Sequence, residues 1–189
     1  YDDVIVGLPS YSTNTGRAYI YLGGSNMNSG VDLILTGEAA NNYFGTSVSD
    51  AGDVNGDGFA DVIVGAPNNA SNTGEAYIYF GGSVLNNVVD VTLNEGFANN
   101  FYGISVSKAG DFNGDGFGDV IVGASGYSTN VGRAYIYYGG SSMNTAADNI
   151  TFGFLSNEFY GYSVSDAGDF NGDGYSDVVI GGYGHSANL

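Results

Sequence analysis

The sequence predicts an all-β protein built from four-stranded antiparallel sheets that stack as the blades of a β-propeller. Three observations lead to this class: the composition, a repeat of fixed length, and four strand-like runs in each repeat. The 189 residues include 33 glycines, 16 tyrosines, 11 phenylalanines and 2 prolines. Runs of Tyr, Val and Ile interrupted by Gly, Asn and Ser are typical of short strands joined by turns. Few Leu, Lys or Glu residues are present from which long amphipathic helices would form.

The repeat has a period of 58 residues and contains no insertion, as the positions of Asp53, Asp111 and Asp169 illustrate. The same offset relates three copies of Gly-X-Ala-Tyr-Ile-Tyr. Fixed spacing indicates that the repeats occupy equivalent positions in one architecture. We therefore expect one propeller-type domain with a partial first repeat at 1–43, full repeats at 44–101 and 102–159, and a partial fourth repeat at 160–189.

Each full repeat is predicted to hold four strands. In the second repeat the strand-like runs are Thr46–Ala51, Asp61–Ala66, Glu75–Phe80 and Val88–Leu93. Turn-forming residues separate the runs, beginning with an acidic loop at 53–58. Four short antiparallel strands per repeat correspond to a propeller blade, whereas a parallel β-helix of the nonapeptide type would repeat about every nine residues.

The Ala-Tyr-Ile-Tyr strands indicate that both faces of each sheet are covered. Side chains alternate along a strand, so the two tyrosines share one face and Ala and Ile share the other. A sheet with one wet face would not carry rings there in every repeat. We expect the following tyrosines to pack mainly between blades: Tyr19, Tyr21, Tyr77, Tyr79, Tyr135 and Tyr137.

The number of repeats predicts an assembly larger than one chain of this length. The sequence holds just over three periods, while propellers typically have about four to eight blades. Three blades would leave a sheet face and edges uncovered. We therefore expect about three blades of a larger or multi-chain assembly, completed by further blades from the same protein or from other copies.

Charge narrows the classes of partner. Twenty acidic residues face three basic ones, which gives a net charge of −17 at pH 7. Nucleic acid and anionic membrane surfaces are therefore poor partners, because almost no basic residue is present to neutralise phosphates, and cations are favoured. Solubility or adaptation to high salt is the alternative explanation for acidic residues outside the loops. The chain has no cysteine, which excludes disulfides and thiol chemistry, and its apolar runs are too short for membrane insertion.

The acidic loop has the donor spacing of a calcium site. Counting from Asp53, oxygen donors fall at positions 1, 3, 5 and 9, and a backbone carbonyl is available at position 7. Gly58 at position 6 permits the sharp turn that directs these donors inward. Three Ca²⁺ sites are predicted, with these ligands: Asp53, Asn55, Asp57, Phe59 and Asp61; Asp111, Asn113, Asp115, Phe117 and Asp119; Asp169, Asn171, Asp173, Tyr175 and Asp177.

A cation explains the loop better than turn formation alone. Carboxylates within a few Å repel each other by about 1 kcal/mol per pair even in water, so the loop is not expected to fold tightly without one. Asp, Asn and Gly often form turns, but turns do not require every donor to recur three times. An EF-hand is not predicted, because position 12 is Val64, Val122 or Ile180 and a strand follows. We expect a structural staple, not a sensor.

These residues carry a resemblance to a known family. Phe44-Gly45, the loop at 52–61 and Gly65-Ala66-Pro67 together resemble the FG-GAP repeat of integrin α-subunit propellers and their bacterial relatives. The resemblance implies a propeller, seven-bladed in integrins, with Ca²⁺ in the loop between the first two strands of a blade. It also implies an extracellular or cell-surface setting and an adhesive role toward a protein or glycan.

The sequence departs from the family pattern at several points. Gly-Ala-Pro becomes Gly7-Leu8-Pro9, Gly123-Ala124-Ser125 and Gly181-Gly182-Tyr183. The first copy of the loop keeps only Asp3, so no complete site is expected there. In integrins the partner-binding surface lies opposite the ion loops, and the resemblance assigns that surface here to three segments: Tyr11–Thr15, Asn68–Thr73 and Tyr127–Val131.

Catalysis is not expected. His185 is the only histidine and falls in the last five residues, where a solvated tail is expected. Asp50 and Asp166 would suit the carboxylate pair of a hydrolase, but Lys108 takes their place in the middle repeat. Two binding roles remain open: an adhesion module for a protein or glycan, and a self-assembling structural unit. A non-catalytic accessory domain of a secreted enzyme is also compatible.

Overall fold

The computed structural model describes residues 1–25 and 29–184, with residues 70 and 71 described in the backbone only. The prediction for His185 lies outside this range. The strands are β1 Val4–Leu8, β2 Arg17–Tyr21, β3 Leu33–Thr36, β4 Ser47–Gly52, β5 Asp61–Ala66, β6 Glu75–Tyr79, β7 Val91–Leu93, β8 Tyr102–Gly110, β9 Asp119–Ala124, β10 Arg133–Tyr137, β11 Asn149–Phe152, β12 Ser163–Gly168 and β13 Asp177–Gly181. Three short helical turns are α1 Tyr11–Asn14, α2 Asn69–Asn72 and α3 Tyr127–Asn130.

The strands of the described residues form four antiparallel sheets, in which strands that are neighbours in the sequence pair with each other. Sheet 1 is β1-β2-β3, sheet 2 is β4-β5-β6-β7, sheet 3 is β8-β9-β10-β11, and sheet 4 is β12-β13. Sheets 2 and 3 are complete four-stranded blades, which confirms the predicted fold class. Among the described helical turns, none has the length and apolar character that crossing a bilayer requires.

Each sheet has two ends of different character. The acidic loop joins the first strand of a blade to the second, as between β4 and β5, and we call this side the loop end. The helical turn joins the second strand to the third, and we call this side the turn end. The segments that the resemblance assigned to partner binding therefore lie at the opposite end of the sheets from the acidic loops.

The fourth strand of sheet 2 is shorter than predicted. It begins at Val91 and not at Val88, because the N–H group of Val88 donates to Oδ1 of Asn86 at 2.8 Å. The third strand ends at Tyr79 and not at Phe80, because the N–H of Phe80 donates to Oδ2 of Asp90 at 2.7 Å. Side-chain acceptors thus take backbone donors that a longer strand would use.

The core lies between successive sheets. Tyr77 and Tyr79 of sheet 2 share a buried cluster with Ala18 and Ile20 of sheet 1. The matching cluster between sheets 2 and 3 joins Ala76, Ile78, Tyr135 and Tyr137. The tyrosine face of each sheet therefore packs on the Ala/Ile face of the sheet before it, which confirms the predicted role for these four tyrosines. Tyr19 and Tyr21 stay half-exposed because no described sheet precedes sheet 1.

Paired glycines let neighbouring sheets approach closely. A Cβ atom added to Gly65 would lie 2.0 Å from the carbonyl oxygen of Gly103, and one added to Gly7 would lie 2.0 Å from that of Gly45. These distances are well below ordinary contact. The Gly of each Phe/Tyr-Gly pair therefore faces a glycine in the second strand of the preceding blade, and backbone contact replaces side-chain packing there.

Candidate metal centre

The three acidic loops occupy the same place in three sheets. They join β4 to β5, β8 to β9 and β12 to β13. In the first, Gly56 and Gly58 have φ values of +78° and +89°, a region that side-chain-bearing residues seldom adopt. The equivalent glycines of the other two loops have φ between +77° and +94°. Each of the three loops can therefore fold back on its first aspartate.

The first aspartate of the loop is held by backbone donors. Oδ1 of Asp53 accepts from the N–H groups of Gly56 at 2.8 Å and Asp57 at 3.0 Å. Oδ2 accepts from the N–H of Gly58 at 2.9 Å. Asp111 and Asp169 make the same three bonds in their loops. The carboxylate at position 1 is thus fixed inside the loop.

The donors at positions 3 and 5 contact each other. Oδ1 of Asn55 accepts from the N–H of Asp57 at 2.8 Å, and Nδ2 of Asn55 donates to Oδ2 of Asp57 at 3.0 Å. Oδ1 of Asp57 accepts from the N–H of Phe59 at 2.9 Å. Positions 1, 3 and 5 therefore lie within one tight turn that is held by hydrogen bonds to their side chains.

The aspartate at position 9 is buried and ties the loop to the next hairpin. Oδ2 of Asp61 accepts from the N–H of Val54 at 2.8 Å, and Oδ1 accepts from that of Gly81 at 2.8 Å. Burial raises the pKa of the Asp61 carboxyl to about 6; the Gly81 and Val54 donors oppose this rise, while the charges of Asp57 and Asp53 add to it. Burial likewise raises the pKa of Asp119 in the next loop. Loop carboxylates therefore destabilise one another's charged forms.

The donor chemistry of the loop fits Ca²⁺. Each loop offers three carboxylates, one amide oxygen and one backbone carbonyl, all hard oxygen ligands, and Ca²⁺ takes about six to eight of these. Among the described residues, however, no three His, Cys, Asp or Glu side chains are arranged to hold a metal ion. The carboxylates bond to backbone N–H groups instead, and Asn55 presents its nitrogen to Asp57.

A search of the sequence for oxygen donors misses one residue of the loop that contacts the next sheet, the apolar residue at position 2. Val54, at position 2, is 0% exposed and belongs to the core between sheets 2 and 3. Its carbonyl oxygen accepts from the N–H of Gly140, in the loop between β10 and β11 of sheet 3, at 2.7 Å. Phe112 occupies the equivalent place and stacks on Tyr138 with ring centroids 6.5 Å apart. The recurrence of an apolar residue at position 2 of each loop is the sequence feature from which this contact could have been predicted.

Lys108 separates the two carboxylates that were considered as a hydrolase pair. Its Nζ donates to Oδ2 of Asp50 at 2.9 Å across the boundary between sheets 2 and 3. This hydrogen bond and the Asp50 charge raise the pKa of Lys108, and the Asp166 charge adds to the rise. Both partners are about half exposed, so the pair contributes little stability. Its role is to neutralise charge where the first strands of adjacent sheets meet.

Stacked antiparallel sheets, each with an acidic loop between its first two strands, define a repeat protein of the β-propeller class. The model of the FG-GAP repeat matches residues 44–79, 102–137 and 160–188, more than half of the chain. The chain belongs to the FG-GAP repeat family.

Integrin α subunits are among the similar proteins. The chain is 29% identical to integrin alpha-11 of Homo sapiens over 197 residues, covering 98% of this chain and 16% of that protein. It is 34% identical to integrin alpha-5 of Xenopus laevis over 153 residues, covering 72% and 15%. It is 32% identical to integrin alpha-PS5 of Drosophila melanogaster over 202 residues, covering 95% and 19%. The chain thus spans less than a fifth of the length of these relatives.

Proposed function

We propose that the chain is a calcium-stabilised FG-GAP propeller module that binds a protein or glycan partner at the cell surface or outside the cell, without catalysing a reaction. The observation that carries this proposal is the triple recurrence of one acidic loop at the same place in successive sheets. Three Ca²⁺ ions would be held by the fifteen residues named above, five in each loop.

A bound cation would neutralise the three carboxylates of a loop and cross-link its donors. The residues of the chain spread that effect beyond the loop. Asp61 bonds to the backbone of Gly81 in its own sheet, while Val54 inserts toward sheet 3 and bonds to Gly140. Ordering the loop therefore orders the contact between two blades, which is the action of a structural staple.

The binding role is proposed for the turn end. The helical turns there differ between repeats, reading Tyr-Ser-Thr-Asn in α1 and α3 but Asn-Ala-Ser-Asn in α2. Variable loops on a repeated scaffold are the usual place for recognition. The integrin relatives favour an adhesive partner, and the net charge of −17 disfavours nucleic acid and anionic membranes.

A self-assembling structural unit is the second candidate. The outer face of sheet 1 exposes Val4, Val6 and Leu8 of β1 beside the two half-exposed tyrosines of β2. A contiguous apolar sheet face of this kind marks an interaction surface. We propose that further blades, from the same protein or another copy, cover it, and that residues 1–43, 44–101, 102–159 and 160–189 act as repeat units of one domain. Concentration-dependent mass in solution, with no ligand, would favour this second role.

The calcium proposal is tested by calorimetric melting with excess CaCl₂, with excess chelator, and with MgCl₂ in place of calcium. A ligand at about 100 times its Kd stabilises the folded state by about 2.7 kcal/mol per site, and a domain of this size gains about 2–4 °C per kcal/mol. We expect chelation to lower Tm by about 5–10 °C for each site emptied, and Mg²⁺ to restore less. An unchanged melting curve on chelation contradicts the proposal.

A further inference from the structure

The charged side chains are divided between the two ends of the sheets. All sixteen aspartates and Lys108 lie at the loop end, where the net charge is −15. The four glutamates, Arg17 and Arg133 lie at the turn end, where the net charge is −2. Cationic partners are therefore drawn to the loop end. The turn end is close to neutral.

The charges at the turn end, apart from that of the exposed Glu38, are also engaged within the chain. The guanidinium groups of Arg17 and Arg133 lie over the rings of Tyr11 and Tyr127, at 3.7 and 3.5 Å from the ring centroids. Oε1 of Glu95 accepts from the hydroxyl of Tyr137 at 3.0 Å. What this end offers to a partner is therefore aromatic rings, hydroxyl groups and carboxamides.

An aromatic groove lies at the turn end between sheets 3 and 4. It has a volume of about 200 Å³, and its lining includes Phe159, Tyr162 and Tyr183. Tyr183 stacks on Phe159 with centroids 4.5 Å apart and planes at 13°, and meets Tyr162 edge-on at 4.6 Å and 80°. Tyr162 and Tyr183 are nevertheless 49% and 63% exposed. The three rings support one another and still present a broad surface to solvent.

The two exposed rings are not needed to build a blade. The positions equivalent to Tyr162 hold Thr46 and Ile104, and those equivalent to Tyr183 hold Pro67 and Ser125. Sheets 2 and 3 form with these smaller residues at the same positions. The aromatic pair is therefore an addition to the scaffold.

A carboxamide pair borders the same groove. Nδ2 of Asn130, a lining residue, donates to Oδ1 of Asn157 at 3.1 Å. This bond does not use Oδ1 of Asn130 or Nδ2 of Asn157, so the pair has an acceptor and a donor to offer a ligand. An aromatic face beside a donor and an acceptor provides both contacts that a sugar ring requires.

We infer that the groove formed by Phe159, Tyr162, Tyr183 and the Asn130–Asn157 pair binds a neutral pyranose unit of a glycan. This inference rests on the proposed role as a binding module and names the class of its ligand. The π-face of a tyrosine is electron-rich, so it attracts the weakly positive C–H groups on one face of a sugar ring. Carboxamides hydrogen-bond to the sugar hydroxyls, and tyrosine contributes contact area at low entropic cost.

A neutral glycan fits the groove better than the other ligand classes. Sulfated or carboxylated glycans find no cationic group there, since no Lys or Arg lines the groove. A folded protein partner requires about 20–30 residues from each side, whereas eight residues line the groove. Pockets for drug-sized ligands measure about 300–1,000 Å³, so this groove suits one ring of a longer chain.

The test measures binding of named oligosaccharides to the whole chain by saturation-transfer NMR and titration calorimetry. The probes are neutral tetrasaccharides of glucose, mannose and N-acetylglucosamine, with a heparin tetrasaccharide and an arginine-rich peptide as contrasts. We expect at least one neutral probe to bind and the contrasts not to bind at the groove. Tyr183→Ser and Tyr162→Thr, residues already used at the equivalent positions, should each weaken binding about tenfold, as for loss of one stacked ring.

Matched controls separate binding from folding. Tyr183→Phe keeps the ring and should keep most of the affinity, and Tyr1→Ser removes a 91% exposed tyrosine at the loop end and should change nothing. The inference is overturned if no neutral probe binds, if binding survives both groove substitutions, or if only the sulfated probe or the peptide binds there. Calcium melting is a separate readout, so the staple proposal can stand when this inference fails.

Discussion

Replacing Gly103 by alanine tests the close approach of neighbouring blades. Gly103 has φ of +83°, and a Cβ atom there would lie 2.4 Å from the carbonyl oxygen of Glu75. The obstacle is backbone in the first residue of β6, so no side-chain rotation relieves it. Left-handed backbone costs alanine about 1–2 kcal/mol, and an overpacked contact costs about 1–3 kcal/mol. We expect Gly103→Ala to lower the free energy of unfolding by about 2–5 kcal/mol.

Two other glycines separate the two causes. Gly96 has φ of +67° but no atom within 4 Å of its Cβ position, so Gly96→Ala incurs only the backbone cost. The nearest atom to a Cβ at Gly82 is the carbonyl oxygen of Val84 at 3.9 Å, and φ there is not in the left-handed region. Gly82→Ala should therefore be neutral or slightly stabilising.

Thermal melting in saturating calcium measures all three variants. At about 2–4 °C per kcal/mol for a domain of this size, we expect Tm to fall by about 4–20 °C for Gly103→Ala. Gly96→Ala should lower it by about 2–8 °C, and Gly82→Ala should leave it unchanged. Equal melting of the Gly103 and Gly96 variants would refute the blade-contact reasoning, because the two share backbone strain and differ only in the contact.

Three further predictions concern the loops and the buried tyrosines. Asp57→Ala removes one ligand of one site, so calorimetry should give a smaller loss of Tm than full chelation, and an equal loss would contradict separate sites. Val54→Ala should lower the free energy of unfolding, measured with denaturant, by about 1–3 kcal/mol because Val54 is fully buried. Phe170 occupies the equivalent position but is 87% exposed, so Phe170→Ala should cost less than about 0.5 kcal/mol. Similar losses for the two variants would show that the Val54 contact contributes nothing. Burial raises the pKa of Tyr102 well above 10.0, so above about pH 10 the unfolded state alone releases that proton. The contribution of Tyr102 to the free energy of unfolding should therefore fall above about pH 10, and phenolate absorbance that rises fully before unfolding would be inconsistent with this.

The repeat length and the strand pattern were enough to predict the blades, because every repeat has the same turn-forming residues between its strands. Strand ends were harder to predict. Val88 has the apolar, β-branched character of a strand residue, yet Asn86 takes its N–H group and the strand begins at Val91. The side chain of Asn86 and the neighbouring strand compete for the N–H group of Val88. The strand propensity of Val88 does not show which of these acceptors lies nearer.

The spacing of donors in the loop could be read directly from the sequence, whereas their orientation could not. A period-two pattern of Asp and Asn predicts which residues surround a cation, but the rotation of the Asn55 carboxamide depends on which atoms lie beside it. Packing of the tyrosines between sheets was predicted, but which of them lack a covering sheet was not. Tyr21 and Tyr79 sit in the same four-residue motif, and only the second is buried, because a sheet precedes it.

The unlike faces of each sheet give the stack a direction. A bulky tyrosine face always meets the small Ala/Ile face of its neighbour, and two tyrosine faces would leave no recess for the rings to enter. An added blade or second copy can therefore join only in a heterologous manner, through two different surfaces. Such contacts generate closed rings or open fibres and exclude a two-fold dimer through either face.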